Sequence, residues 1–256
     1  MSVFTGEFTS ECANKNIVVR VIFPDSPYDL EQVDKESKTM YLLHGGGGSS
    51  GDWLRFTNIE FFARKYNFTI VMADAGGSSF YSDMVYGGNY LKFFGEELPK
   101  FVNDRFNLPK NTYICGQSMG GYGCIKVGLT YPENYKAIGC LSGGVDIKSL
   151  INLFSKNESS MKQFKAIFGD PIVISDDDDL YCLTKKVVNL KDKPKIYGCC
   201  GKEDFLYQDN VKFYKYLDSI GYENEVFYND GIHMWDYWDR NMPLIMEKLC
   251  KHNIGD

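Results

Sequence analysis

Thr112-Tyr113-Ile114-Cys115-Gly116-Gln117-Ser118-Met119-Gly120 governs how the rest of this sequence is read. The stretch opens as an apolar run, closes on Gly-Gln-Ser-Met-Gly and passes directly into a helix-like segment from Met119 to Tyr131. Strand, sharp turn and helix in that order are what a G-x-S-x-G nucleophile elbow requires. The glycines two before and two after the serine leave room for a strained backbone that lifts the hydroxyl out of the sheet and into a cleft. Glycine and serine are common, however, and such a pattern can also do no more than end a strand.

A nucleophilic serine needs a base, and the chain has only 3 histidines to supply it. His44 lies at a strand end before a glycine run, and His252 lies in the last few residues, where chains fray. His233, in Asn229-Asp230-Gly231-Ile232-His233, sits on a loop between the strand-like Glu225–Tyr228 and an aromatic helix. That placement makes His233 the candidate general base. A carboxylate must then fix the imidazole tautomer and stabilise the imidazolium. Asp204 is the candidate, following the apolar strand Lys195–Cys200 and preceding a helix that starts near Leu206. Asp204 could instead serve only as the helix N-cap, with Glu203 or Asp230 as the orienting acid.

Apolar and aromatic runs bounded by turn residues predict eight strands, near residues 3–8, 17–23, 39–44, 69–74, 112–116, 137–141, 195–200 and 224–228. Ser118 then follows the fifth, Asp204 the seventh and His233 the eighth, in the chain order Ser, Asp, His that α/β-hydrolases use. Helical patterns fall near 58–66, 90–106, 119–131, 206–220 and 235–251, with kinks or late starts expected at Pro99 and Pro243. Alternating strands and helices imply a mostly parallel sheet covered on both faces, with the site at the carboxyl ends of the strands. The first two strands are expected to form an antiparallel extension.

At 256 residues and 44% hydrophobic, the chain reads as one domain spanning 1–256, without a Gly/Ser/Pro linker or an internal repeat. Residues 25–38 and Asp176–Asp179 read as polar connections, the aspartate run as a solvated acidic loop that lacks the spacing of a calcium site. A net charge of -6 argues against nucleic acid as a partner. The N-terminal residues show no basic segment followed by an apolar one, and no apolar run approaches membrane-spanning length, so no membrane partner and a cytoplasmic location are expected. The 8 cysteines lack C-x-x-C spacing and read as reduced core thiols, with no metal site expected.

Gly45-Gly46-Gly47-Gly48, after the third strand, supplies a last part. Attack on an ester creates a tetrahedral oxyanion that needs two backbone N–H donors, and a loop without side chains lets the substrate approach closely. Met119 N–H is the first expected donor and Gly46 N–H the second, with Gly45 or Gly47 as alternatives. No Walker lysine follows and G-x-G-x-x-G is not matched, so a phosphate site is not implied.

The chain resembles the esterase D group of α/β-hydrolases, and within it the small bacterial tributyrin, feruloyl and acetyl esterases. The resemblance spans nearly the whole chain. It is carried by Tyr41-Leu42-Leu43-His44-Gly45, Gly51-Asp52-Trp53, Tyr86-Gly87, Glu96-Glu97-Leu98-Pro99, Gly116–Gly123, Gly201–Tyr207 and His233-Met234-Trp235-Asp236-Tyr237-Trp238. Where the group often has a bulky residue after His-Gly, this chain has Gly46. The resemblance implies a serine carboxylesterase acting on small-molecule esters with short acyl or aryl groups (acetyl, butyryl or feruloyl), without a cofactor. S-formylglutathione, a thioester, is the alternative substrate. A hydrolase-fold binding protein without turnover is a further alternative, but it would be expected to lack a triad member or the donor loop.

The long connection, about 146–193, carries Leu150, Phe154, Met161, Phe164, Ile167, Phe168 and Tyr181 and is expected to form a small cap over Ser118, or one or two helices packed on the domain. Phe80, Tyr81 and Tyr86 are expected to add an aromatic wall.

Overall fold

In the computed structural model, residues 1–25 and 35–252 are described; most of the polar connection expected over 25–38 lies outside them. The strands are β1 (Ser2–Ser10), β2 (Lys15–Phe23), β3 (Lys38–Leu43), β4 (Phe68–Ala73), β5 (Thr112–Gln117), β6 (Ala137–Leu141), β7 (Lys195–Gly201) and β8 (Asn224–Asn229). They form one sheet in the order β1-β2-β4-β3-β5-β6-β7-β8. β1 pairs antiparallel with β2 and β2 with β4, and every later pairing is parallel. This is the α/β-hydrolase fold.

Both faces of the sheet are covered, and the pleat divides the side chains between them. Tyr41, Leu43, Val71, Ala73 and Ile114 pack into one core. Their alternating neighbours Met40, Leu42, Ile70, Met72 and Tyr113 pack into the other. Such two-sided burial is why β3 and β4 read as continuous apolar runs rather than alternating ones.

The helices are α1 (Asp52–Phe56), α2 (Ile59–Lys65), α3 (Tyr90–Lys92), α4 (Leu98–Phe106), α5 (Met119–Thr130), α6 (Ile147–Leu153), α7 (Glu158–Phe168), α8 (Leu180–Val187), α9 (Tyr207–Ser219) and α10 (Trp235–Lys251). The second core takes Trp53 of α1, Ile59 and Ala63 of α2 and the apolar stripe Trp238, Met242, Ile245 and Leu249 of α10. The helix expected over 90–106 is interrupted by a π-helical turn at Phe93–Glu97, and Pro99 falls directly after it, in the first turn of α4. α10 runs through Pro243. The 146–193 connection holds three helices, α6 to α8, rather than one or two.

The acidic run departs from expectation. Asp176 and Asp177 are exposed, but Asp178 pairs with Lys126 Nζ at 2.5 Å, and Asp179, buried, accepts from Tyr181 N–H at the start of α8 and pairs with Lys148. The cause lies in α5, whose residues Met119 to Leu129 are all buried. Lys126, on that helix, must bring a counter-charge into the interior with it. Ser82 accepts a further hydrogen bond from its ammonium at 2.6 Å.

Candidate active site

Ser118 links β5 to α5 with φ 57 and ψ −118, outside the regions that a residue with a side chain normally occupies. The turn is held by its own N–H, which donates to Leu141 O at 3.0 Å. The flanking glycines are required by contact: a Cβ on Gly116 would strike Gly120 O, and one on Gly120 would strike Leu43 O. The Ser118 hydroxyl makes no cap bond to its own helix. It faces His233 instead, with Nε2 at 2.8 Å from Oγ.

His233 precedes α10 on the loop that leaves β8. Its ring packs near Phe205, centroids 4.6 Å apart, and edge-on to Trp238 at 5.0 Å. Nδ1 lies 2.8 and 3.0 Å from the two carboxylate oxygens of Asp204, whose side chain is fully buried. Burial alone would raise the Asp204 pKa. The hydrogen bond and charge of His233, with the Leu206 N–H donating at 2.8 Å, outweigh it and hold the carboxyl below its ordinary value. Asp204 therefore also braces the entry to α9, the N-cap-like role considered from sequence. Glu203 accepts from Gly231 N–H, and Asp230 pairs with Lys202, so both competing acids are engaged elsewhere.

The other two histidines are structural. His44 is buried with Nδ1 2.8 Å from Gly45 O, and its Nε2 accepts from Ala75 N–H at 2.9 Å, pinning the end of β3 to the end of β4. Burial holds its pKa below the ordinary value. His252 lies edge-on to Tyr197.

Gly46 and Met119 lie side by side: a Cβ on Gly46 would sit 3.9 Å from Met119 Cβ. Among the described residues neither backbone N–H has a protein acceptor. Gly47 N–H is engaged, donating to Gly77 O at 2.8 Å and to Ser78 Oγ at 3.0 Å. Gln163 of α7 in turn donates to Ser78 O at 3.1 Å. Ser78 and Gln163 were not anticipated. The small-residue run Gly76-Gly77-Ser78-Ser79 after β4 is the signal that could have marked the first.

Two cavities meet at Ser118. The larger, about 420 Å³, is bounded by Gly46, Met119, Phe80, Leu150, Phe154 and Phe164 among others, so α6 and α7 form its outer wall. The smaller, about 290 Å³, lies toward the glycine loop, His233, Trp235 and Trp238. Of the expected aromatic wall only Phe80 lines the larger cavity. Phe80 and Tyr81 both have positive φ, and the turn sends Tyr81 into the core, where its hydroxyl donates to His44 O. Tyr86 is exposed, its N–H bonded to Ala166 O. Ile167 and Phe168 are buried in the core, and Tyr181 packs on Phe213.

The esterase family model, described as "Putative esterase", matches residues 10–249. The chain belongs to the esterase family. It is 32% identical to an acetyl esterase of Caldicellulosiruptor saccharolyticus over 98% of this chain and 99% of that one. Among solved structures, this esterase is similar to FphF, a fluorophosphonate-binding serine hydrolase of Staphylococcus aureus. The identity is 29% and the TM-score 0.86, covering 97% of this chain and 98% of that one. It is also similar to the S-formylglutathione hydrolase FrmB of Staphylococcus aureus, at 30% identity and TM-score 0.82 with the same coverage. Within this esterase D-like family the chain is a serine hydrolase. Among its described residues no helix is long and apolar enough to cross a membrane.

Proposed function

We propose that the esterase hydrolyses short-chain acyl or aryl esters through an acyl-enzyme on Ser118. The observation that carries this is the single imidazole of His233, within 2.8 Å of Ser118 Oγ on one side and of Asp204 Oδ2 on the other. His233 takes the hydroxyl proton as Ser118 Oγ attacks the acyl carbon, and Asp204, ionised, fixes the tautomer that leaves Nε2 free to accept it. The oxyanion falls between the N–H groups of Gly46 and Met119, and each donor is worth about 3 kcal/mol of barrier. His233 then returns its proton to the departing oxygen. Water, deprotonated by the same imidazole, releases the acid.

The larger cavity receives the acyl group in this reading, and the segment 146–193 acts as a cap whose α6 and α7 set acyl selectivity. Its walls mix Leu150, Phe154 and Phe164 with Ser159 and Ser160, so it suits a short or aromatic acyl group better than a long lipid chain. The likeness to FrmB keeps S-formylglutathione as the second substrate to be measured.

The test is kcat/KM across 4-nitrophenyl esters of rising acyl length, with methyl ferulate and S-formylglutathione. Efficiency is expected to peak at acyl groups of about two to four carbons, since each buried methylene adds about 0.8 kcal/mol only while the cavity has room. A steady rise to palmitoyl would overturn the short-acyl reading, and dominance of S-formylglutathione would replace it with a thioesterase.

A further inference from the structure

Two consecutive residues on the loop after β4, Phe80 and Tyr81, stand in the left-handed region with φ 51 and 50, and neither is glycine. A bulky side chain makes that backbone costly, so it persists only where its surroundings over-determine it. Here they do. The Tyr81 ring is fully buried against Phe94, centroids 4.8 Å apart, in a notch that α5 leaves at Gly123, where a Cβ would strike the ring. Its hydroxyl donates to His44 O at 2.9 Å and its N–H to Ser79 Oγ at 3.2 Å. On the other side of the turn, Ser82 Oγ donates to Phe80 O at 3.1 Å while accepting from the buried Lys126 ammonium at 2.6 Å. A hydroxyl that accepts from an ammonium is polarised and holds its own acceptor more firmly.

The turn fixes where one ring stands. While Tyr81 enters the core, Phe80 remains half-buried and borders the larger cavity. Its ring lies 5.7 Å from Tyr122, edge-on, and 5.6 Å from Phe164 of α7. Tyr122 follows Ser118 by four residues on α5, roughly 6 Å along the helix axis. Phe80 thus stands about one helical turn from the nucleophile, where the domain side of the cavity wall meets the cap.

We infer that Phe80 is a specificity-determining residue for acyl length, and that Ser82 and Lys126 are positioning residues that hold its ring as an unyielding stop. The inference rests on the reading of Ser118 as acyl carrier and of the larger cavity as its acyl side, and names what ends the chain there. A ring on an ordinary loop gives way to a longer acyl group by a small backbone shift. Phe80 can do so only if its carbonyl leaves Ser82 or if Tyr81 leaves the core. The Lys126 ammonium, which takes no part in the triad, acquires through Ser82 a consequence for which substrates fit.

Selectivity and strain are tested separately. Selectivity is read as the ratio of kcat/KM for 4-nitrophenyl hexanoate to that for the butyrate. In Phe80→Ala this ratio is expected to rise about tenfold over wild type, the gain from burying about two more methylenes. Phe80→Leu, which keeps most of the packing should Phe80→Ala not fold, is expected to raise it about threefold. Ser82 does not line the cavity, yet Ser82→Ala should move the ratio in the same direction, by about threefold, as the ring is freed. A merely structural serine would lower the melting temperature and leave the ratio where it was.

Strain is read without substrate. Glycine ordinarily melts below alanine, but Phe80→Gly is expected to melt about 2 °C or more above Phe80→Ala, because glycine adopts a positive φ freely. Phe80→Gly melting below Phe80→Ala would show that the turn is not strained. A ratio unmoved in both Phe80→Ala and Phe80→Leu, in an enzyme that hydrolyses both esters, would overturn the stop and leave the esterase reading standing. A ratio unmoved in Ser82→Ala would overturn the positioning role. Failure of the wild type to hydrolyse either ester would overturn the esterase reading itself, and the stop with it.

Discussion

Ser78 Oγ accepts the N–H of Gly47 at 3.0 Å, so the loop that follows β4 fixes the loop that follows β3 one residue beyond the proposed oxyanion donor. Gly47 N–H keeps a second acceptor in Gly77 O, and removal of the hydroxyl would loosen this loop without releasing it. Ser78→Ala is accordingly expected to lower kcat and kcat/KM for 4-nitrophenyl butyrate together, by about tenfold, because an oxyanion donor acts in the transition state rather than on bound substrate. A rise in KM with unchanged kcat would show that Ser78 serves binding alone.

Ser118, His233 and Asp204 are expected to behave as one unit. Ser118→Ala should reduce turnover about a million-fold and His233→Ala nearly as much, with Asp204→Asn at roughly ten-thousand-fold because the imidazole is then held in the wrong tautomer. The double variant His233→Ala/Asp204→Asn should be no slower than His233→Ala. Losses that multiplied would mean that the two residues act independently, and a Ser118→Ala variant with a tenth of wild-type activity would place the nucleophile elsewhere.

Much of this arrangement was legible in the sequence because chemistry there depends on local grammar. A serine between glycines at a strand end, a histidine after the last strand and an acid after the seventh can each be read from a few residues. The fate of the acidic run could not be read in the same way. Nothing near Asp178 in sequence announces Lys126, 52 residues away on a helix whose burial is a property of the whole sheet. Tyr81 and Tyr86 were misplaced for a related reason: consecutive positive φ values at Phe80 and Tyr81 reverse which ring faces the cavity, and no glycine marks that turn. Ser78 and Gln163 act through loops brought together by the fold, which strand periodicity does not encode.

The Lys126–Asp178 pair yields an asymmetric stability prediction. Lys126 has a side-chain exposure of 1% and Asp178 of 20%; burial lowers the lysine pKa, and the charge and hydrogen bond of Asp178 oppose that shift. Asp178→Asn strands an ammonium in the interior and is expected to cost about 3 kcal/mol or more in denaturant unfolding. Lys126→Met leaves only a carboxylate that water can reach, and should cost less. Equal losses would show that the pair's charge is unimportant and that packing alone is measured.

Glu97 provides the pH dependence. Its carboxylate receives Ser10 Oγ at 2.5 Å and the N–H groups of Glu11 and Cys12 at 2.8 and 3.2 Å, fastening the β1–β2 turn to the start of α4. Burial would raise its pKa, but these hydrogen bonds outweigh that and lower it, as happens at Asp204. A carboxylate with a depressed folded pKa stabilises the fold fully above its unfolded pKa, about 4, and loses that contribution as pH falls through the folded value. Glu97→Gln should therefore melt below wild type at pH 7, with the gap closing toward pH 3. A gap that stayed constant over that range would mean that the charge on Glu97 contributes nothing.

Gly46 tests which cavity takes the acyl group. Its φ is not positive, and a Cβ there would lie 3.7 Å from Ser78 Oγ and 3.9 Å from Met119 Cβ, ordinary contact distances on the wall of the larger cavity. A side chain is thus tolerated, the backbone N–H is retained, and the added volume falls where the acyl chain is proposed to lie. In the wild-type esterase, butyryl should exceed acetyl because two more methylenes are buried, at about 0.8 kcal/mol each. In Gly46→Leu the side chain occupies that space and a longer acyl group must strain against it, so the butyryl-to-acetyl ratio of kcat/KM should fall by about tenfold while the melting temperature stays near wild type. If the ratio were unchanged and discrimination among leaving alcohols altered instead, the two halves of the ester would occupy the opposite cavities.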